Sequence, residues 1–329
     1  MSASERPSED SLIARFFAPI AGDGALGLKD DAARLTPKPG HDLVLTTDAL
    51  VERVHFLPED APGSIARKAL GVNVSDLAAK GADPAGFLLS LALPDGWTET
   101  WLADFAAGLG GASRDFACPL LGGDTVKARG PLTLSVTAVG QVPTGGMVQR
   151  TTAQVGDLVC VTGTIGDGAL GLKLRSTPAW SEGLLPGEKA HLADRYLHPQ
   201  PRHQLAAALR DHASAAMDVS DGLAGDLAKM MRASGVSALV EADRVPLSPA
   251  AAKAVQSSPD LLDLALTGGD DYEILCTVPQ KSLDSFRQEA DSIGIPLSVI
   301  GRVVPGSDRP VFRMNGRERH YDVGSYQHF

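Results

Sequence analysis

The spacing of apolar and polar residues divides the first half of the chain into alternating helices and strands. Helical spacing predicts helices at 8–20, 65–80 and 97–114. Apolar runs and two-residue alternation predict strands at 42–47, 85–93 and 131–142. Ser8 is a plausible N-terminal cap for the first helix, and a Gly-rich loop is expected at 22–31.

A second series of helices and strands follows Pro143, Gly145 and Gly146, which interrupt the pattern. Strands are predicted at 157–162, at a short segment ending in Asp218, and at 236–241, 272–278 and 297–304. Helices are predicted from about 167, at 202–212 and 223–234, before 272, and at 281–293. We therefore predict an α/β protein with two domains of similar size, residues 1–150 and 151–329.

The octapeptide GDGALGLK occurs twice, at 22–29 and at 166–173. Each copy contains the Gly-x-Gly-x-x-Gly pattern of dinucleotide-binding proteins, and the second copy follows a predicted strand. A Rossmann unit would then need a second parallel strand ending in an acidic residue, but 176–188 is a polar loop. A Gly-rich helix start is the favoured interpretation over a nicotinamide or flavin site.

Composition restricts the class of protein further. The 329 residues correspond to two domains at roughly 150 residues each. The 30 Lys and Arg against 40 Asp and Glu give a net charge of −10, which argues against nucleic-acid and membrane-surface partners. The longest apolar run is too short to span a bilayer, the N-terminus does not resemble a signal peptide, and the three cysteines are isolated. We expect a soluble, cytoplasmic protein.

Several common catalytic motifs are missing from the sequence. It contains no Gly-Lys dipeptide, so a Walker-type phosphate loop cannot be present. The G-x-S-x-G nucleophile motif is absent, and neither the cysteines nor the histidines have zinc-ligand spacing.

Aspartates in loops and at strand ends are the remaining chemical signal. They are Asp30, Asp31, Asp48, Asp76, Asp124, Asp218, Asp221, Asp270 and Asp271. Carboxylates beside Thr and Ser hydroxyls suit Mg²⁺, which bridges phosphates. Each of these aspartates also has a purely structural interpretation, since Asp next to Gly commonly caps a turn or a helix. Residue types and spacing alone indicate a Mg²⁺-dependent enzyme acting on phosphates.

A set of segments running from residue 11 to residue 329 resembles the thiamine-monophosphate kinase family of the aminoimidazole-ribonucleotide synthetase superfamily. The segments are SLIARFF, DDAA, LTTDALVERVHF, KALGVNVSDLAAKGADP, LLGGDT, VTGTIGDGALGL, MDVSDGLAGDL, LTGGDDYEI and YQHF. VNVSDLAAKGADP and MDVSDGL indicate the superfamily. The HF after TTDALVE and the terminal YQHF indicate the kinase family within it.

The resemblance implies a two-domain α/β subunit that forms a homodimer through its N-terminal half. ATP and several Mg²⁺ ions would bind in the cleft between the domains. The implied reaction transfers the γ-phosphoryl group of ATP to thiamine monophosphate, giving thiamine diphosphate and ADP. The acceptor is a phosphate already ionised at pH 7, so no general base is expected.

The resemblance also implies roles for particular residues. The implied metal ligands are Asp31, Thr46, Thr47, Asp48, Asp76, Asp124, Asp218 and Asp221. The implied ATP contacts are Gly123, Asp124, Arg150 and Ser220, and the implied thiamine-substrate contacts are His55, Asp270 and Tyr326. Between Asp30 and Asp31 we favour Asp31 as the ligand. The family often has Glu at the position of Asp270, so this contact is one methylene shorter here.

Two alternatives remain open. One is another ATP-dependent enzyme of the same superfamily, with aminoimidazole-ribonucleotide synthetase the nearest. The other is a nucleotide-binding protein without turnover. Selenophosphate synthetase would need a reactive Cys near the N-terminal Gly-rich loop, but no Cys precedes Cys118. A hydrogenase-maturation protein would be expected to end in Cys, but this chain ends in Phe329.

Overall fold

A computed structural model describes residues 8–321, and these form an α/β structure built on two separate sheets, which confirms the predicted fold class. The described residues divide into two compact units. Unit 1 consists of 8–77 and Asp83–Gly145, and unit 2 consists of Ala78–Ala82 and 146–321. The sequence-based domain division at residue 150 stays a prediction. No helix among residues 8–321 is long and apolar enough to cross a membrane.

Unit 1 begins with three short helical segments instead of the single helix predicted from the sequence. They are α1 at Glu9–Leu12, a π-helical turn at Ile13–Phe17 and a 3₁₀ turn at Ala18–Ile20. Ser8 caps α1, since its hydroxyl accepts a hydrogen bond from Ser11 N at 3.3 Å.

A four-stranded sheet forms the body of unit 1, in the order β1-β4-β2-β3. Its strands are β1 at His41–Val51, β2 at Asp83–Leu93, β3 at Leu120–Lys127 and β4 at Thr133–Pro143. Only β2 and β3 pair in parallel. Sequence reasoning missed β3 because Gly122, Gly123 and Asp124 are residue types depleted in strands.

Two helices, of which the first extends two residues beyond unit 1, pack closely on each other within unit 1. They are α2 at Pro62–Ala79 and α3 at Glu99–Asp115. A Cβ on Gly108 would overlap the backbone of Gly63, so the two helices approach this closely because both positions are glycine. Thr98 caps α3 by accepting from Trp101 N at 3.1 Å.

Unit 2 contains a seven-stranded sheet in the order β11-β10-β7-β9-β5-β8-β6, antiparallel except for the β7–β10 pair. The strands are β5 at Leu158–Thr162, β6 at Ala215–Asp218, β7 at Ser237–Glu241, β8 at Ile274–Val278, β9 at Leu297–Val304, β10 at Val311–Met314 and β11 at Arg317–Arg319. The last two strands were not predicted.

Seven α-helices of unit 2 lie among the described residues. They are α4 at Asp167–Leu174, α5 at Pro186–Leu197, α6 at Ala206–His212, α7 at Leu223–Ser234, α8 at Pro249–Ser257, α9 at Leu261–Thr267 and α10 at Leu283–Ser292. The prediction of a polar loop at 176–188 is wrong in part, because α5 begins inside it. Pro186 in the first turn and Glu188 two residues later are signals of a helix start.

Alternate residues of the unit 2 strands enter two different hydrophobic cores. Val159 and Val161 of β5 pack with residues of α7, including Leu227. Cys160, between them, packs with Phe286 of α10 on the other face. The sheet is therefore buried on both sides, which explains why its central strands are almost entirely apolar.

Candidate functional site

Three of the predicted metal ligands meet where β1 lies against α2. Thr46 and Asp48 are two residues apart on β1 and so share one face of the strand. Thr46 Oγ1 donates to Asp76 Oδ2 of α2 at 2.5 Å. Asp48 N donates to Asn73 Oδ1, one helical turn before Asp76, at 3.1 Å. Thr46, Asp48 and Asp76 therefore lie on one strand–helix contact.

Thr47 lies on the opposite face of β1, which is exposed. Its hydroxyl donates to Val136 O at 3.1 Å and accepts from Thr137 Oγ1, also at 3.1 Å. The side chain of Thr47 is thus directed away from Asp48, and its neighbours are the residues of β4.

A cavity of about 620 Å³ opens on this exposed side of the unit 1 sheet. It is lined by the predicted residues Asp31, Gly123 and Asp124, together with Asp30 and Thr137. Thr137 is the residue that bonds Thr47, so four predicted residues adjoin one cavity.

Gly123 has a structural requirement of its own. A Cβ at this position would overlap the carbonyl oxygen of Leu89 on the neighbouring strand. The pairing of β2 with β3 therefore requires glycine here, independently of any contact with ATP.

His55 lies in the turn that follows β1. Val51 N donates to its Nδ1 at 3.0 Å, so Nδ1 is the acceptor and the ring holds the turn in place. This bond leaves Nε2 to carry the proton of the neutral ring.

Unit 2 brings three predicted residues together where two loops meet. Asp218 ends β6, and the loop after it carries Ser220 and Asp221. Asp270 lies in the loop between α9 and β8, and its N–H donates to Ser220 O at 2.9 Å. A Cβ on Gly269 would overlap Ser220 O, so a glycine is needed for this close approach. Ser220, Asp221 and Asp270 are neighbours within unit 2.

A lysine and a second aspartate accompany Asp221. Lys229 Nζ lies 2.5 Å from Asp221 Oδ2 and 2.9 Å from Asp226 Oδ1. Asp226 is fully buried and also accepts from Asp221 N at 2.9 Å and Gly222 N at 3.1 Å. Burial raises the pKa of Asp226 despite the nearby ammonium group. Burial lowers the pKa of Lys229, but its bonds to the two carboxylates outweigh this and raise it.

The structure says little about two of the predicted substrate contacts, Arg150 and Tyr326. Arg150 is exposed in unit 2, and its carbonyl oxygen accepts from Ser234 Oγ at 3.1 Å. Tyr326, predicted to contact the thiamine substrate, lies outside the described residues.

The chemistry of the β1–α2 donor set fits Mg²⁺. Its donors are carboxylate and hydroxyl oxygens, and Mg²⁺ in enzymes is commonly bound by one or two carboxylates plus waters and substrate phosphates. Among residues 8–321, no three His, Cys, Asp or Glu side chains lie close enough together to hold a metal by themselves. The predicted aspartates are distributed over several places, and the assignment of metal ligands stays a prediction.

Both parts of the chain match models of one class of protein. Residues 29–142 match the AIR synthase related protein, N-terminal domain, and residues 154–312 match the AIR synthase related protein, C-terminal domain. Their succession along the chain gives the class: an AIR synthase related protein.

Individual relatives specify the family within this class. Thiamine-monophosphate kinase of Caulobacter vibrioides is 44% identical over 309 residues, covering 92% of this chain and 86% of that protein. The crystal structure of thiamine-monophosphate kinase from Stenotrophomonas maltophilia has a TM-score of 0.82 at 39% identity, covering 94% of this chain and 96% of that chain. The structure of AaThiL complexed with AMPPCP and TMP has a TM-score of 0.78 at 29% identity, covering 97% and 94%. The chain belongs to the thiamine-monophosphate kinase family, as the sequence motifs predicted.

Sequence reasoning did not single out the partners of the predicted residues. Lys229 follows Asp226 at the i, i+3 spacing of a helical ion pair, which is a detectable signal. The approach of the 268–273 loop to Ser220 carries no comparable signal, because the two loops are about 50 residues apart in the chain.

Proposed function

We propose that this protein transfers the γ-phosphoryl group of ATP to thiamine monophosphate, forming thiamine diphosphate and ADP. The observation that carries the proposal is 44% identity to a thiamine-monophosphate kinase over 92% of the chain. The structural relative complexed with AMPPCP and TMP supports the same pair of substrates.

We propose that Mg²⁺ ions accompany ATP and are held in unit 1 by Asp48 and Asp76, with Thr46 as a neighbouring oxygen donor. The support is that Thr46 Oγ1 bonds Asp76 Oδ2, and that Asp48, on the same face of β1, bonds through its backbone N–H to Asn73, one turn before Asp76. Asp31, Asp124 and Thr47 beside the 620 Å³ cavity, and Asp218 and Asp221 in unit 2, are the further proposed ligands. Bound Mg²⁺ would neutralise phosphate charge and align the two reacting groups.

The remaining proposed contacts account for substrate binding by side chains and backbone. Arg150 would add a fixed positive charge toward the phosphates of ATP, and Gly123 and Ser220 would contact the nucleotide. His55, Asp270 and Tyr326 would contact thiamine monophosphate. No residue is assigned as a general base, because the attacking phosphate oxygen is already ionised at neutral pH.

The test is incubation of the purified protein with ATP, Mg²⁺ and thiamine monophosphate, with chromatographic detection of thiamine diphosphate and ADP. We expect equal amounts of both products, and none in the presence of EDTA. Absence of product from a folded protein that binds ATP would reject the acceptor. Formylglycinamidine ribonucleotide would then be tested, and no turnover with either acceptor would favour a nucleotide-binding protein.

The metal assignment has a separate test on β1. Asp48→Asn should abolish turnover and remove most of the thermal stabilisation that Mg²⁺–ATP gives the protein. Asp42→Asn is the matched control on the same strand, because Asp42 is exposed and its carboxylate accepts a hydrogen bond from Gly145 N at 2.8 Å. Wild-type turnover in Asp48→Asn would remove Asp48 from the metal site.

We also propose a cytoplasmic homodimer formed through the exposed face of the unit 1 sheet. This face carries several exposed apolar side chains: Leu43, Leu45, Leu88 and Val126. Leu45→Asp should convert the dimer to a monomer in sedimentation, whereas Val155→Asp, at an exposed apolar residue of unit 2, should not. The three unpaired cysteines, all buried, support a reducing compartment.

A further inference from the structure

The loop 268–273 of unit 2 has a left-handed backbone at two residues that are not glycine. Asp270 has a φ of 71° and Tyr272 has a φ of 51°. A residue with a Cβ is sterically disfavoured in this region and stays there only where surrounding contacts hold it. Such conformations concentrate at functional sites, so the contacts that hold this loop bear on what Asp270 does.

The side chain of Asp271, between these two residues, is bound to the first turn of α4. Asp271 is 2% exposed, and its two oxygens accept from Gly166 N at 2.8 Å and Gly168 N at 3.2 Å. Gly166 precedes the helix and has no side chain to cap it, so Asp271 provides the cap from another part of the chain. A Cβ on Gly168 would overlap Asp270 O, which shows how closely the loop lies on α4.

Glu273 holds the other end of the loop through a fully buried carboxylate. It accepts from Thr162 Oγ1 at 2.7 Å, from Arg195 Nη2 at 2.8 Å, and from Arg202 Nε at 2.7 Å and Nη2. A Cβ on Gly163 would overlap this carboxylate. Each oxygen of Glu273 therefore accepts two hydrogen bonds, and the four donors belong to three residues of unit 2: Thr162 of β5, Arg195 of α5 and Arg202 after α5.

Backbone bonds connect this anchored loop to the Ser220 loop. Asp270 N donates to Ser220 O at 2.9 Å, and Tyr272 N donates to Val219 O at 2.8 Å. Val219 N donates in turn to Glu273 O at 2.8 Å. Two anchors consequently fix the position of Asp270 relative to Ser220. The first is Asp271, bound to α4, and the second is Glu273, bound to the two arginines and Thr162.

We infer that Asp271 and Glu273 are positioning residues that set the affinity for thiamine monophosphate by holding Asp270 in its left-handed conformation against the Ser220 loop. This inference rests on the proposed function, in which Asp270 contacts that substrate. Neither buried carboxylate needs to touch the substrate. Their effect passes through the backbone between residues 270 and 273.

The experiment compares steady-state kinetics of Glu273→Gln, Asp271→Asn and the wild-type enzyme. A Gln or Asn side chain presents an NH₂ group to donors that need an acceptor, so the loop loses its anchor with little change in volume. We expect KM for thiamine monophosphate to rise at least tenfold in both variants, with a clearly smaller rise in KM for ATP, because the proposed ATP contact Ser220 bonds the loop through its carbonyl oxygen. Asp157→Asn is the matched control, because Asp157 is also buried and accepts from a loop N–H, that of Gln154 at 3.0 Å.

A double-mutant cycle separates positioning from general loss of structure. If Glu273 acts through Asp270, Glu273→Gln should change KM for thiamine monophosphate less than twofold in an Asp270→Asn background. The same fold-change in both backgrounds, or equal increases in both KM values, would overturn the inference. If Glu273→Gln does not fold, Arg202→Met provides the same comparison. The Arg202 side chain is less buried than that of Glu273, and its replacement removes two hydrogen bonds to Glu273.

Amide hydrogen exchange measures how firmly the 268–273 loop is held, independently of enzyme activity. The Asp270 and Tyr272 amides should exchange at least tenfold faster in Glu273→Gln than in the wild type, with α10 unchanged. Unchanged exchange in the loop would overturn the inference. A wild-type enzyme that neither binds nor phosphorylates thiamine monophosphate would instead overturn the proposed function, and the exchange data would still show whether Glu273 holds the loop.

Discussion

The two copies of GDGALGLK have identical sequences and different structures. In the first copy, Asp23–Leu28 forms a 3₁₀ segment interrupted by left-handed backbone at Leu26, with φ 54°, and at Gly27, with φ 70°. In the second copy, the corresponding residues lie in the regular helix α4. Eight residues are therefore too few to determine the local conformation, and the contacts around each copy decide it.

The contacts of the two copies differ in kind. In the second copy, Asp167 is fully buried and accepts from Thr164 Oγ1 at 2.7 Å and Ser248 Oγ at 2.6 Å. Asp271 caps the helix from outside. In the first copy, the equivalent Asp23 is exposed, and the loop is held mainly through its backbone. Helix formation here follows from tertiary packing and capping more than from local propensity.

The largest difference is expected at the first leucine of the repeat, Leu26 in one copy and Leu170 in the other. Leu170 is fully buried among Leu192 and its neighbours, so Leu170→Ala should lower the free energy of unfolding by about 3 kcal/mol. Leu26 is 42% exposed, and Leu26→Ala should change it by less than about 0.5 kcal/mol. Chemical denaturation of the two variants measures both values. Equal effects would show that the two environments differ less than the structure indicates.

The third glycine of the repeat, Gly27 in one copy and Gly171 in the other, tests close packing. A Cβ on Gly171 would overlap Leu192 O of α5, a backbone atom that cannot rotate away, so Gly171→Ala should cost about 2–3 kcal/mol. Gly27 has open space around it and a positive φ, so Gly27→Ala should cost only about 1 kcal/mol. Denaturation curves of the two alanine variants provide the comparison, and a larger loss for Gly27→Ala would contradict it.

Replacement of the first leucine by glycine is expected to change the free energy of unfolding in opposite directions in the two copies, with a smaller effect in the first copy. Leu26→Gly removes a left-handed penalty of roughly 1–2 kcal/mol and adds about 0.5–1 kcal/mol of chain entropy. Its stability should therefore rise by up to about 1 kcal/mol, whereas Leu170→Gly should be more destabilising than Leu170→Ala. Thermal and denaturant unfolding would detect the signs. A destabilised Leu26→Gly would mean that the left-handed residue is not strained.

The smallest expected effect concerns α5, which packs on the second copy. The hydrogen bond from Lys253, followed by that from Leu185 N at 2.6 Å, lowers the pKa of Glu188 from its ordinary value of 4.5. A lowered carboxyl pKa contributes stability above pH 4.5 that is lost as pH falls through the folded-state pKa. Glu188→Gln should slightly lower the Tm at pH 7, and the difference should disappear in acid. A difference that persists at low pH would assign it to something other than charge.

Most of the fold could be predicted from the sequence, with identifiable exceptions. The strand 297–304 and the helix 223–234 were predicted with their observed bounds: the strand is a mainly apolar run between Pro296 and Pro305, and the helix has amphipathic spacing and ends before Gly235. The strand β3 was missed at Gly122, Gly123 and Asp124, where a close approach to β2 overrides residue preference. The helix α5 was hidden by the Pro and Gly residues that precede and begin it.

The candidate site was likewise predicted from the sequence only in part. The family motifs implied that Asp48 and Asp76 are both metal ligands, and the structure brings both residues to the β1–α2 contact. No motif indicated that Asp271 would cap α4 or that Glu273 would bind two arginines. Those roles depend on partners roughly 70 to 110 residues away, and hydrophobic patterns carry no information about such pairings.

The sequence by itself determined the α/β class, the order of most elements and the family. The reason is that periodicity and motifs are local features, which can be recognised without knowing the tertiary contacts. Only the tertiary structure decided the conformation of each GDGALGLK copy, the separate faces of Thr46 and Thr47, and the left-handed backbone at Asp270. The physical reason is that burial, capping and strain are properties of a residue's surroundings. Identical residues therefore adopt different conformations when those surroundings differ.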